Sequence, residues 1–239
     1  MTATEADRRR SRRSLRIGAV VVGLLVAAVA AMVLLAVRDP ATPAVSRGPS
    51  PARSTGETPQ PDISWLQTLG VKLPMSRAHG PRDVTSTTAS GFSDTELGAA
   101  IAAVHVLIRT SAAAGPRVFE PTITQQVTGS NAAAMKLLAA QQYEQLRAES
   151  NVVEGEPVAG DAEVLGYVVD AFVSGAARVQ VFLSSPTLDA RGQLLRFTVQ
   201  LERRPDDWAV VAPPRGDWGA SSAVLSEAPA GLMRFGGVR

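Results

Sequence analysis

The sequence predicts an α+β domain, three helices packed on a curved four-stranded antiparallel sheet, set behind an N-terminal transmembrane helix. Three observations carry this. Residues 17–37 form an apolar run without a charge; residues 93–149 place apolar side chains at helical spacing; residues 163–212 switch to alternation with period two.

The totals bound the rest. With 239 residues, 45% of them hydrophobic, the chain can hold one domain of ordinary size and something that is not domain. The net charge of +2 is unevenly placed: up to Arg38 seven Arg stand against Glu5 and Asp7, a net +5, which leaves −3 for everything after. An acidic remainder removes the electrostatic basis for nucleic-acid binding by the main domain. The chain has no Cys, so disulfides, thiolate metal sites and Cys nucleophiles are excluded. Only two Lys, Lys72 and Lys136, accompany the 22 Arg.

The opening run is long enough to span. Its 21 residues make a helix of about 31 Å at ~1.5 Å per residue, matching a hydrocarbon core of ~30 Å. Six Arg lie just before it, between Arg8 and Arg16, and only Arg38 just after, so the N-terminus is expected in the cytoplasm and the main domain outside. Ser11-Arg12-Arg13-Ser14-Leu15-Arg16 is similar to a twin-arginine export signal. The run is too long for a signal-peptide core, however, and Arg38-Asp39-Pro40 replaces a small-x-small cleavage site, which favours a retained signal-anchor.

The expected organisation is a cytoplasmic basic tail over 1–16, the span over 17–37, a disordered Pro-rich spacer over 38–62, the extracytoplasmic domain over 63–214 and an irregular tail over 215–239. The spacer holds Pro40, Pro43, Pro49, Pro51, Pro59 and Pro61 with little to bury. After it, "ISWLQTLGVKLP" brings Trp65, Leu66, Leu69 and Leu73 together before Pro74. These four either pack as a short lid or meet a partner.

In the first helix Ser93 reads as the N-cap, Glu96 as its capping-box partner and Phe92 as a staple on Leu97, so the helix should begin at Asp94. Leu97, Ile101, Val104 and Ile108 form its stripe; Ala and Val on the other sides predict burial nearly all round, up to Gly115-Pro116. A shorter piece interrupted by Pro121 follows, then a third helix from about Ala132 to Glu149 behind Ser130 and Asn131, with Met135, Leu138 and Leu146 as its apolar stripe and Tyr143 on the flank. Strands are expected in "EVLGYVVDAFV", around Val179-Val181-Leu183, through Leu195-Phe197-Val199-Leu201, and in "DWAVVAP".

Chemistry is sparse. His105 sits about 80° round the first helix from Leu97, with no acidic residue at i±3 or i±4 to orient it, and reads as a core histidine. His79 lies in the turn-rich "SRAHGPRD" and reads as solvated. Asp206 and Asp207 read as a hairpin tip rather than a metal site, and Asp161, Glu163 and Asp170 are spread apart. No nucleophile elbow, phosphate loop, zinc helix or dinucleotide fingerprint occurs. A non-enzymatic protein without cofactor or metal is expected.

Four stretches carry a resemblance: "WLQTLGVKLP" (65–74), "HGP" (79–81), "GFSDTELGAA" (91–100) and "GPRVFEPTITQQVTG" (115–129). They resemble an uncharacterised domain family of actinobacterial integrative conjugative elements, over about residues 63–214. The order of tail, span, spacer and domain resembles the inner-membrane scaffold subunits of type IV secretion, whose outer domain is nuclear-transport-factor-2-like. The resemblance implies a bitopic scaffold of a conjugative DNA-transfer apparatus, homo-oligomeric, partnered by other transfer-apparatus membrane proteins, with Trp65, Leu66, Leu69 and Leu73 as contact candidates. The long spacer departs from those scaffolds. Accessory membrane proteins of lipid importers share the plan and imply an apolar cup; a small enzyme using such a cup through His105 is the third reading.

Overall fold

A computed structural model of the chain describes residues 62–236. The basic tail, the expected span over 17–37 and all of the spacer before Asp62 lie outside the described residues. Among the described residues no helix is long and apolar enough to cross a membrane.

The expected three helices on a four-stranded antiparallel sheet, and with them the nuclear-transport-factor-2-like assignment, are overturned. The described residues form four helices, a six-stranded mixed sheet and two separate two-stranded hairpins.

The first hairpin is the segment expected as a lid: β1 (Ile63–Thr68) pairs antiparallel with β2 (Val71–Ser76), Thr68 opposite Val71. Its two-residue turn has Leu69 at φ 53° and Gly70 at φ 77°, the double positive φ of a type I′ turn. A short hairpin of β3 (Asp83–Val84) and β4 (Ala89–Ser90) follows.

Helix α1 (Glu96–Arg109) starts two residues later than expected, because Thr95 rather than Ser93 is the cap: its hydroxyl accepts from Gly98 N–H at 3.0 Å. The lead-in is pinned from across the fold. Asp207 accepts from the N–H groups of Gly91 (2.9 Å) and Phe92 (3.1 Å), Arg203 donates to the Phe92 carbonyl (3.0 Å), and the Trp208 indole donates to the Ser93 carbonyl (2.9 Å). From Gly98 to Arg109 every residue of α1 is buried. The helix stops at Thr110, and a 3₁₀ turn over Ala112–Ala114 leads into α2 (Pro116–Gln126). Pro121 does not interrupt α2: burial of Val118, Phe119, Thr122 and Ile123 on both sides of it outweighs one lost backbone hydrogen bond. Helix α3 (Ala132–Ser150) ends at Asn151 in the left-handed conformation and buries Met135 and Leu146 as expected; Leu138 is half-buried, and Tyr143, expected on the flank, is buried.

The large sheet runs β5 (Val127–Thr128), β9 (Trp208–Val211), β8 (Leu194–Arg203), β7 (Ala176–Ser184), β6 (Glu163–Val173), with the four-residue helix α4 (Pro186–Asp189) between β7 and β8. Two strands not foreseen make it six-stranded and mixed. Strand β5 is only two residues long, continues directly from α2 and pairs parallel with β9. Strand β10 (Ser222–Leu225) comes from the tail expected to be irregular. It fits because β8, about 33 Å long at ~3.3 Å per residue, has room for two partners on one side: β10 along Leu194 to Phe197 and β9 along Leu201 to Arg203. The tail then returns to β6, where Met233 bridges Tyr167 and Phe235 stacks on the Tyr167 ring at 4.6 Å.

Helix α1 is the centre of the core. It packs on β6, β7, β8 and β9, on α2, and on β2, while α3 lies outside against α2.

Candidate functional site

An apolar cavity of about 230 Å³ opens where the C-terminal end of α1 meets α3. Leu107 and Ile108 of α1, Ala112–Ala114 of the 3₁₀ turn and Met135, Leu138, Ala139 and Leu146 of α3 form its walls. Leu183 and Phe197 contribute from the sheet, Leu69 and Val71 from the first hairpin, and Trp218 from the 3₁₀ turn Trp218–Ser221. The alanines matter here: small side chains on both α1's exit and α3 leave the gap that larger ones would fill. Trp218 is held edge-on to Phe197 (6.3 Å, 88°), its indole N–H donating to Thr110 Oγ1 at 3.1 Å. Thr110 in turn donates to the Val106 carbonyl at 2.7 Å, so the polar atoms of this wall are satisfied within the protein. Polar side chains also line it, Gln145 and Asp161 exposed at its solvent side and Ser111, Gln142 and Asp217 half-buried. Among the described residues no Lys, Arg or His lines it.

A second feature lies on the opposite face of α1. His105, wholly buried, has Nε2 2.9 Å from the Pro74 carbonyl and its ring 5.6 Å from that of Phe92. A carbonyl only accepts, so Nε2 carries the proton and Nδ1 is an acceptor with no partner among the described residues. Burial pushes the imidazole down to about 4, the Pro74 carbonyl opposing this and the Arg109 charge adding to it. Arg109, one turn on, is 1% exposed; among the described residues its Nε and Nη1 have no hydrogen-bond partner and no carboxylate forms a salt bridge with it. Burial lowers the guanidinium from its ordinary value. His105 is the core histidine the sequence indicates, outside the cavity and without an acidic partner, so the reading that made it a catalytic base in a cup has no geometric support.

The four contact candidates separate. Leu73 is 0% exposed and belongs to the core, Leu66 is half-buried, and Leu69 faces the cavity from its turn. Only Trp65 stands out, 44% exposed with its ring edge-on to Phe235 at 6.4 Å. His79, expected to be solvated, is half-buried, its Nδ1 2.9 Å from Thr95 Oγ1 and 3.2 Å from Ser93 Oγ, where it ties its loop to the start of α1. Asp207 is the structural hairpin-tip residue expected. Among the described residues no group of three His, Asp or Glu could hold a metal ion.

Sequence reasoning missed Trp218 and Asp217, which lie in the tail read as irregular, and Arg109. The last left a signal: a charge one turn after His105, closing the stretch 97–108 in which no residue carries a fixed charge.

Comparison with known proteins gives one family match, a domain of unknown function (DUF8175), over residues 29–230. The chain belongs to the DUF8175 family. Every residue lining the cavity falls inside that match. No curated protein and no solved structure matches the chain. DUF8175 membership names no chemistry, and the site's geometry has to supply it.

Proposed function

We propose that this DUF8175 protein is a non-enzymatic, membrane-tethered binding protein whose extracytoplasmic α+β domain holds an apolar small molecule in the cavity between α1 and α3. The observation that carries the reading is the cavity itself. At about 230 Å³, walled by aliphatic and aromatic side chains, it exceeds the ~150 Å³ apolar cavity that takes up benzene. Among the described residues its walls present no nucleophile paired with a base, and the polar atoms of Thr110 and Trp218 are already bonded. The sequence of residues 17–37, with its upstream arginines, supports the tether and the placement of the domain outside the membrane. A lipid-importer accessory is the biological setting closest to this chemistry.

Full-length protein extracted from its host under non-denaturing conditions and analysed by native mass spectrometry should retain an apolar small molecule. Ala139→Phe, which fills the cavity from α3, and Leu107→Phe, which fills it from α1, should lose it while keeping a cooperative melt. Equal retention, or none, in wild type and both variants overturns the reading.

A second reading is the scaffold of a conjugative DNA-transfer apparatus implied by the sequence resemblance, with homo-oligomers and other transfer-apparatus membrane proteins as partners. Exposed Trp65 on β1 is the observation that favours a protein contact there. Crosslinking from position 65 in the native host should then recover transfer subunits; recovery of the monomer alone counts against it.

A further inference from the structure

The cavity's mouth is charged in one sense only. Asp161 is exposed and Asp217 half-buried at the opening, and neither forms a salt bridge among the described residues. Asp217 Oδ1 accepts from Gly219 N–H at 2.8 Å, and that bond holds the carboxylate at the start of the 3₁₀ turn that carries Trp218. The indole is itself fixed, by Thr110 at its N–H and by Phe197 against its ring, and stands half-buried in the same cavity lining as the two acids. A carboxylate or phosphate head entering this opening would meet two like charges and no compensating cation among the described residues. An ammonium head would meet two carboxylates and a ring whose quadrupole attracts cations.

We propose that the ligand is a cationic amphiphile: an apolar body filling the cavity between α1 and α3, with an ammonium head at the mouth against Asp161, Asp217 and Trp218. This rests on the cavity being a ligand site, the reading given above. The remaining mouth groups, Ser111, Gln142 and Gln145, are uncharged, so the two aspartates set the head-group preference.

The test uses the full-length chain in zwitterionic lipid nanodiscs, dialysed to equilibrium against empty nanodiscs with three probes of one chain length: octyltrimethylammonium, octan-1-ol and octanoate. Octyltrimethylammonium should bind at least tenfold more tightly than octanoate. The double variant Asp161→Asn with Asp217→Asn, in which the amide oxygen introduced at position 217 can still accept from Gly219 N–H, should shrink that ratio to less than threefold and leave octan-1-ol unchanged. Ala139→Phe should abolish binding of all three. If octanoate binds as well as the ammonium probe, or the ratio survives in the double variant, the head-group inference is wrong while the cavity stands. If no probe binds above the empty-nanodisc level, the ligand-site reading falls and takes this inference with it.

Discussion

Acid should destabilise this domain in part through one residue, His105. In the folded protein the wholly buried His105 titrates at about 4, against an ordinary value of 6.5. A base depressed by folding is neutral in the native state, so the unfolded chain binds the extra proton. The stability it contributes is full above pH 6.5 and is lost as pH falls toward 4. Between pH 7.5 and 4.5 the linkage amounts to about 2.5 kcal/mol, at ~1.36 kcal/mol per unit of pKa difference. The perturbation is His105→Gln, whose side-chain amide can still donate to the Pro74 carbonyl but cannot titrate. Urea unfolding of both proteins at the two pH values measures it, and subtracting the variant's change from the wild type's removes every other titrating group. Wild type should lose about 2.5 kcal/mol more than the variant. A difference below about 0.5 kcal/mol would mean that His105 is hydrated or charged in the native state, and the burial argument would fail with it.

Three further outcomes follow from the geometry. Arg109→Met removes a buried charge that has no partner among the described residues and should raise stability at neutral pH by about 1–3 kcal/mol in urea unfolding, where truncation of a paired arginine would lower it. Asp207→Ala orphans the N–H groups of Gly91, Phe92 and Trp208 together, and should cost about 3 kcal/mol or more by the same assay, with hydrogen exchange rising first at the start of α1. Gly70→Ala and Gly175→Ala both place alanine at positive φ, but only at Gly70 does the new methyl collide with the Gly160 carbonyl; its melting temperature should therefore fall further, by about 1–3 kcal/mol equivalent beyond the shared backbone penalty.

What the sequence made legible was local. The bounds of α3, the burial of α1 on all sides, and the strands around Val179, Val181, Phe197 and Val199 each follow from periodicity within one stretch. The start of α1 was harder because Ser93 and Thr95 are both competent caps, and the choice between them is made by Asp207 and Trp208 more than a hundred residues away. The sheet's extra members had no local signature: β5 is too short to alternate, and β10 is defined by the free length of β8 rather than by its own side chains. Nor could the cavity be read, since α1, α3, the first hairpin, the sheet and the tail all contribute to it.

Two features that oppose stability meet at the same end of α1. One face of its last turn lines the apolar cavity, where Ala139 makes fewer dispersion contacts than a Leu would. The other carries Arg109, buried without a partner among the described residues, beside a histidine whose free acceptor is also unpaired there. Packing alone would remove both with a few apolar substitutions. Their coincidence within one helical turn, at the end of a helix buried on all sides, is the pattern of a region shaped by something other than stability. A ligand in the cavity would supply the missing contacts on the first face. The second face then becomes the informative control: if Arg109→Met stabilises the fold yet leaves probe binding unchanged, the arginine is independent of the cavity; if binding weakens as the fold tightens, the two faces of α1 are coupled through the helix between them.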